Sequence, residues 1–135
     1  MEKPRLVAAC VVLLMAMLLG DGALWLRPVA AYTDNCQGSS KCGCCVSQQD
    51  CRNAFARYTD GTIYSAYTSR VSGHCTAIYR CNGAYAKVSG AVLKKQFRHV
   101  YENQPCQKCG SHAFASNCEA TLNYCSSCRD SGNPN

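Results

Sequence analysis

The spacing of apolar positions changes along the chain, and each change predicts an element. From Leu6 to Gly20 the residues are apolar and uncharged, behind the basic start Met1-Glu2-Lys3-Pro4-Arg5. A basic start followed by a short apolar run is the pattern of a secretory leader. The run is shorter than the roughly 20 residues that a membrane span needs. Val29-Ala30-Ala31 offers small residues at the cleavage positions. This sets a signal peptide over 1–31 and a mature domain over 32–135, with a cut near Gly22 as the alternative.

Tyr32 to Cys45 is small and polar and predicts a disulfide-pinned loop. Ser47 then reads as a helix N-cap with Asp50 three positions on, close to a capping box, and Val46 before it as a staple onto Cys51. Cys51, Ala54, Phe55 and Tyr58 follow at i, i+3, i+4 and i+7, one face of a helix that Asp60-Gly61 stops. Two runs rich in Thr, Ile and Tyr, Thr62 to Thr68 and His74 to Arg80, predict strands of a hairpin joined by Ser69 to Gly73. Asn82-Gly83 marks a turn. Ser89 predicts a second N-cap. Beyond it Leu93, Phe97, Val100 and Tyr101 form an apolar stripe opposite Lys94, Lys95, Arg98, His99 and Glu102, until Pro105 ends the helix. A loop after Cys109-Gly110 leads to a last strand, Ala120 to Cys125, and the polar stretch 129–135 predicts a flexible tail.

Composition adds the stabilising chemistry. Of 13 cysteines, all but Cys10 follow the leader, and they exceed the ~8–10% that marks a disulfide scaffold. Secretion supplies the oxidising environment, and the even number left after the leader favours complete pairing of Cys36, Cys42, Cys44, Cys45, Cys51, Cys75, Cys81, Cys106, Cys109, Cys118, Cys125 and Cys128. The net charge of the chain is +6. Its basic residues are dispersed, which argues against nucleic acid and leaves attraction to acidic surfaces or to the mouth of a cation channel.

Cys106-Gln-Lys-Cys109 and Cys125-Ser-Ser-Cys128 have a zinc-ribbon spacing. In such a ribbon zinc needs thiolates, whereas an oxidising compartment turns neighbouring thiols into disulfides, so no metal and no cofactor is expected. A redox role for the first pair fails because it follows a helix C-terminus rather than opening a helix. His74, His99 and His112 come with no nucleophile elbow, H-E-x-x-H or paired carboxylates, and His99 reads as a solvated residue. The chain is expected not to be an enzyme and to take no small-molecule substrate. Tyr64, Tyr67, Tyr79 and Tyr85 fall in the hairpin region with Arg57, Arg70, Arg80 and Lys87. They read either as core cover with solvated charges or as an aromatic and basic contact face.

Asn35-Cys36-Gln37-Gly38-Ser39-Ser40-Lys41-Cys42-Gly43 resembles the opening of the killer toxin encoded by the P-four virus of corn smut, the KP-four family. The resemblance returns at Ser89-Gly90, at Cys106-Gln107-Lys108-Cys109-Gly110-Ser111, and at Leu122-Asn123-Tyr124 with Cys128. It spans the mature domain in order. It implies a small disulfide-rich α+β sandwich, with an antiparallel sheet covered on one face by two antiparallel helices. It also implies that Cys36 pairs with Cys106 and Cys42 with Cys109. Cys44-Cys45, Cys118 and Cys125 have no family counterpart, and Ile63-Tyr64-Ser65-Ala66-Tyr67 stands where relatives carry a cysteine. That leaves Cys128 to find another partner, with Cys75 the candidate.

The activity implied by the resemblance is toxicity to competing fungi through block of a calcium channel, by a secreted monomer that does not enter the target cell. Cationic side chains suit the negative potential of a channel mouth, and Lys41, Arg57, Arg70, Arg80, Lys87 and Lys108 are the candidate target-binding residues. The alternative is a secreted signalling or cell-wall module that keeps the scaffold without the toxicity. A secreted hydrolase is a third reading, and it would require a polar cleft containing a histidine.

Overall fold

The computed structural model describes residues 31–82, 86–115 and 117–132. Residues 1–30 of the predicted leader lie outside the described residues, as do Gly83, Tyr85 and the last three residues of the predicted tail. A four-stranded antiparallel sheet runs in the order β2-β3-β6-β5, where β2 is Thr68–Ser72, β3 is Cys75–Cys81, β5 is Gly110–Phe114 and β6 is Cys118–Tyr124. A two-stranded ribbon pairs β1, Ile63–Ser65, with β4, Lys87–Ser89. The helices are a single turn α1, Cys42–Cys45, then α2, Gln48–Ala56, and α3, Gly90–Glu102. Helix α2 packs on β2 and β3, and α3 packs on β5 and β6. This is a small disulfide-rich α+β fold.

Period-2 alternation decides the faces. In the register, Ala77 stands opposite Leu122 and Tyr79 opposite Ala120, and all four are fully buried under the helices. Both long helices begin where their caps predict. Ser47 Oγ accepts from the Asp50 N–H at 3.0 Å, and Ser89 Oγ accepts from the Val92 N–H at 3.4 Å. The stripe Leu93, Phe97, Val100 and Tyr101 is buried. Phe97 stacks on Phe55 and Tyr58, and Tyr58 meets the edge of Tyr64, so one aromatic cluster joins α2, α3 and β1. Each such ring contributes about 1.5–3 kcal/mol by burial. Gly90 opens α3 against the loop after α2, where a Cβ would fall 2.0 Å from the Thr59 carbonyl oxygen. Only glycine permits that approach.

The sheet corrects several expectations. Ser69 to Ser72, expected as the hairpin connection, is most of β2; the turn is the shorter Gly73-His74, with Gly73 at φ +52°. The first predicted strand is therefore divided: Ile63–Ser65 leaves for the ribbon with β4, and Thr68 begins β2. Gly110–Phe114, expected as a loop, is the edge strand β5. The Tyr32-to-Cys45 loop ends in the helical turn α1.

The tail is not free as far as Gly132. Ser131 and Ser69 exchange both backbone hydrogen bonds, at 3.0 and 3.1 Å, which extends the sheet beyond β2. Asp130 accepts from the Val71 N–H at 2.9 Å. The chain continues an edge because β2 had unpaired backbone groups there to satisfy.

Six disulfides join the described cysteines. Cys36 bonds Cys106 and Cys42 bonds Cys109, the partners that the resemblance implies. Cys81 bonds its cross-strand neighbour Cys118, and Cys44 bonds the adjacent Cys45. The expected Cys75–Cys128 pair is not formed. Cys75 faces α2 and bonds Cys51, while Cys128 bonds Cys125 three residues away. Register explains the difference: Cys75 is on the helix-facing side of β3, whereas Cys128 lies past the end of β6. Both C-x2-C pairs are thus oxidised and offer no thiolate to zinc.

Candidate contact surface

The N-terminal segment is laid along β5. The Asn35 N–H donates to the Ser111 carbonyl at 3.0 Å, and the Ser111 N–H returns a bond at 2.8 Å. The Ser39 N–H donates to Asn123 Oδ1 at 2.8 Å. The two long-range disulfides fasten this segment to the turn after α3, and between them opens a cleft of about 720 Å³. Gln37, Gly38, Ser39, Pro105, Gln107 and Lys108 line it with the half-cystines and Gly43. Apart from the oxidised cysteines, Lys108 is the one titratable side chain in that lining. No histidine is among those lining residues.

Two of the expected cations gather at this end. Lys41 occupies the N-cap position of α1, and its ammonium stands 5.5 Å from the centre of the Tyr124 ring. Lys108 Nζ donates to the Gly43 carbonyl within α1 at 2.6 Å, and the Lys108 carbonyl accepts from the Tyr101 hydroxyl at 2.7 Å. Beside them lies the exposed Cys44–Cys45 pair.

The other expected contact residues go elsewhere. Arg57 caps the end of α2, donates to the Val71 carbonyl at 2.8 Å and pairs with Asp130 at 2.7 Å. Arg70 is only 8% exposed. It lies on the helix-facing side of β2, with its guanidinium 5.3 and 5.1 Å from the Tyr58 and Tyr64 ring centres. It donates to the carbonyls of Ser69 and Ser131 at 2.7 and 3.0 Å. Arg80 pairs at 2.5 Å with Glu119, its partner across β3 and β6. Lys87 is exposed on β4 and makes no ion pair among the described residues. Tyr64 and Tyr79 are core residues, and Tyr67 is 64% exposed. The six cations therefore do not share one face.

The tyrosine environments are chemically distinct. Burial pushes the Tyr58 hydroxyl well above its usual range, with Arg70 opposing, and that hydroxyl reaches the carbonyls of Thr68 and Ala77 at 2.9 and 3.1 Å. At Tyr64 burial also raises the hydroxyl. The Thr59 N–H donor at 2.9 Å and the nearby Arg70 outweigh it and leave the group below its ordinary value. Neither ring faces the cleft, so these shifts belong to the core.

Sequence reasoning assigned the histidines no role. His74 packs against Tyr124, whereas His99 of α3 and His112 of β5 stack on each other. Their positions, thirteen residues apart on a helix and a strand, give no local signal of that meeting.

No helix among the described residues is long and apolar enough to cross a membrane. The sequence pattern of the Meiotically up-regulated gene family matches residues 34–128. No curated protein matches the chain.

Proposed function

We propose, for a chain that belongs to the meiotically up-regulated gene family, an action outside the cell by surface contact: a disulfide-clamped, cationic, killer-toxin-like protein that blocks a calcium channel of a target fungus. The observation that carries this reading is the clamp itself. Cys36–Cys106 and Cys42–Cys109 fix the N-terminal segment against the α3–β5 turn, with Lys41 and Lys108 at the same end. A rigid cationic rim loses little conformational entropy on docking to an anionic channel mouth.

The test uses the oxidised, secreted protein on fungal cultures and on calcium currents. Growth inhibition that external calcium relieves, and that the double variant Lys41→Ala/Lys108→Ala weakens about tenfold, is the expected result for a charge-steered contact. No inhibition across several fungi, with unaltered currents, would overturn it.

A second reading, a secreted signalling or cell-wall module without toxicity, is favoured by a different observation. Arg57, Arg70 and Arg80 are each engaged within the molecule. The family's description, meiotic up-regulation, suits a role in sexual development. That reading expects a developmental or wall defect on deletion and no antifungal activity in the purified protein.

A further inference from the structure

We infer that Asp34, His99 and His112 form a binding site for a divalent transition-metal ion of the zinc class. Three separate parts of the chain supply the ligands: the N-terminal segment, the last turn of α3, and β5. One potential ligand atom from each lies within 4.8 Å of the others. Asp34 Oδ1 is 3.0 Å from His112 Nδ1, and Asp34 Oδ2 is 4.0 Å from His99 Nε2. A tetrahedral zinc with ligands at about 2.0–2.1 Å holds its donor atoms about 3.4 Å apart, which falls between those two separations. Two imidazoles and one carboxylate are a donor set that zinc uses when it keeps a fourth position open.

The surroundings hold these ligands in place. The Ala113 N–H donates to Asp34 Oδ1 at 2.7 Å and fixes the carboxylate. Asp34 is two residues from Cys36 and next to Asn35, so both the disulfide and the bridge to Ser111 restrain it. Gln104 donates through Nε2 to the Ser111 carbonyl at 3.0 Å, and its Oε1 is buried with no hydrogen-bond partner. Asp34 and Gln104 are close enough to interact. The Asp34 side chain is 45% exposed, which leaves solvent a path to the fourth position.

The two imidazoles now stack with ring centres 3.7 Å apart, and Asp34 takes the place next to the His112 ring nitrogen. Ligation replaces that hydrogen bond and turns each ring so that one nitrogen points at a common centre. Each ring binds through a lone pair on one of its nitrogens. The ion would staple the N-terminal segment to α3 and β5.

The experiment uses the oxidised, secreted protein, alkylated without reduction so that no stray thiol can take metal. Equilibrium dialysis against zinc chloride, with magnesium chloride as the control, should give one zinc and no magnesium per chain. In the unmodified chain, NMR should move the ring signals of His99 and His112 and leave His74 in place, which tests the site without a mutation. His99→Ala and His112→Ala should each weaken zinc binding at least about tenfold, since the loss of even an outer-shell partner of a ligand costs about 10–100-fold. An unchanged metal-free thermal melt would show that these variants fold. Absence of stoichiometric zinc, ring shifts at His74 instead, or zinc retained by the combined variant His99→Ala/His112→Ala would each overturn the site and leave the stack as a hydrogen-bonded clip.

Discussion

Arg70 occupies a place that the sheet register would otherwise give to an apolar side chain, beside Ala77 under α2. Burying a guanidinium is costly unless its charge and its donors are met. The faces of Tyr58 and Tyr64 meet the charge, and the carbonyls of Ser69 and Ser131 meet the donors. Buried tyrosines set an alkaline limit on stability. Burial holds the Tyr58, Tyr79 and Tyr101 hydroxyls above their ordinary value of 10.0, whereas Tyr64 runs the other way. For these three groups, as for the raised Tyr32, the folded chain keeps protons that the unfolded chain releases. Their contribution is fully present below the unfolded value and is lost as pH rises through the folded ones. The urea midpoint should therefore be level up to about pH 10 and fall beyond it, and Tyr101→Phe should make that fall shallower by one titrating group. A midpoint that stays level to about pH 11.5 would refute the assignment.

The helices were legible because their signals are local. Ser47 and Ser89 cap them, and the apolar residues of each recur every three or four positions. The strands β2 and β5 were not legible, since Thr-Ser-Arg-Val-Ser and Gly-Ser-His-Ala-Phe carry little β pattern of their own. Their pairing comes from β3 and β6, and tertiary context overrides weak propensity at such edges. The partners of Arg57, Arg70 and Arg80 were not legible for a related reason, because sequence shows a charge but not the carbonyl, carboxylate or ring beside it. At this scale the tail is the sharpest case. Ending the chain at Cys128 removes the Asp130 partner of Arg57, the Ser131 bonds to Ser69, and two of the carbonyls around Arg70. Leaving a buried donor unsatisfied costs about 1–3 kcal/mol, whereas the exposed Arg57 pair adds at most about 1 kcal/mol. The truncated protein should lose about 1–3 kcal/mol in urea unfolding. Its Ser69 and Val71 amides should exchange with solvent faster. Unchanged exchange at both amides would mean that the tail only rests on the edge.

For the whole molecule, the decisive question is how the two long bridges share their work. Cys36–Cys106 closes a separation of 70 residues and Cys42–Cys109 one of 67. Each alone would restrict the unfolded chain by about 4.4 kcal/mol in the loop-entropy model. They join the same two segments, however. Once one bridge is made, the other closes a ring of only about ten residues and adds about 2.7 kcal/mol. Replacing either pair with alanine should then cost about 2.7 kcal/mol, whereas replacing both should cost about 7 kcal/mol, more than the two separate losses together. Urea unfolding of the two double-alanine variants and of the quadruple variant measures this directly. Losses that simply add would mean that native packing, rather than chain restriction, accounts for the effect of the bridges. The excess also bears on function. A chain missing one bridge should keep the Lys41 and Lys108 rim almost intact, while a chain missing both frees the N-terminal segment. Contact activity should therefore survive the loss of either pair and disappear with the second.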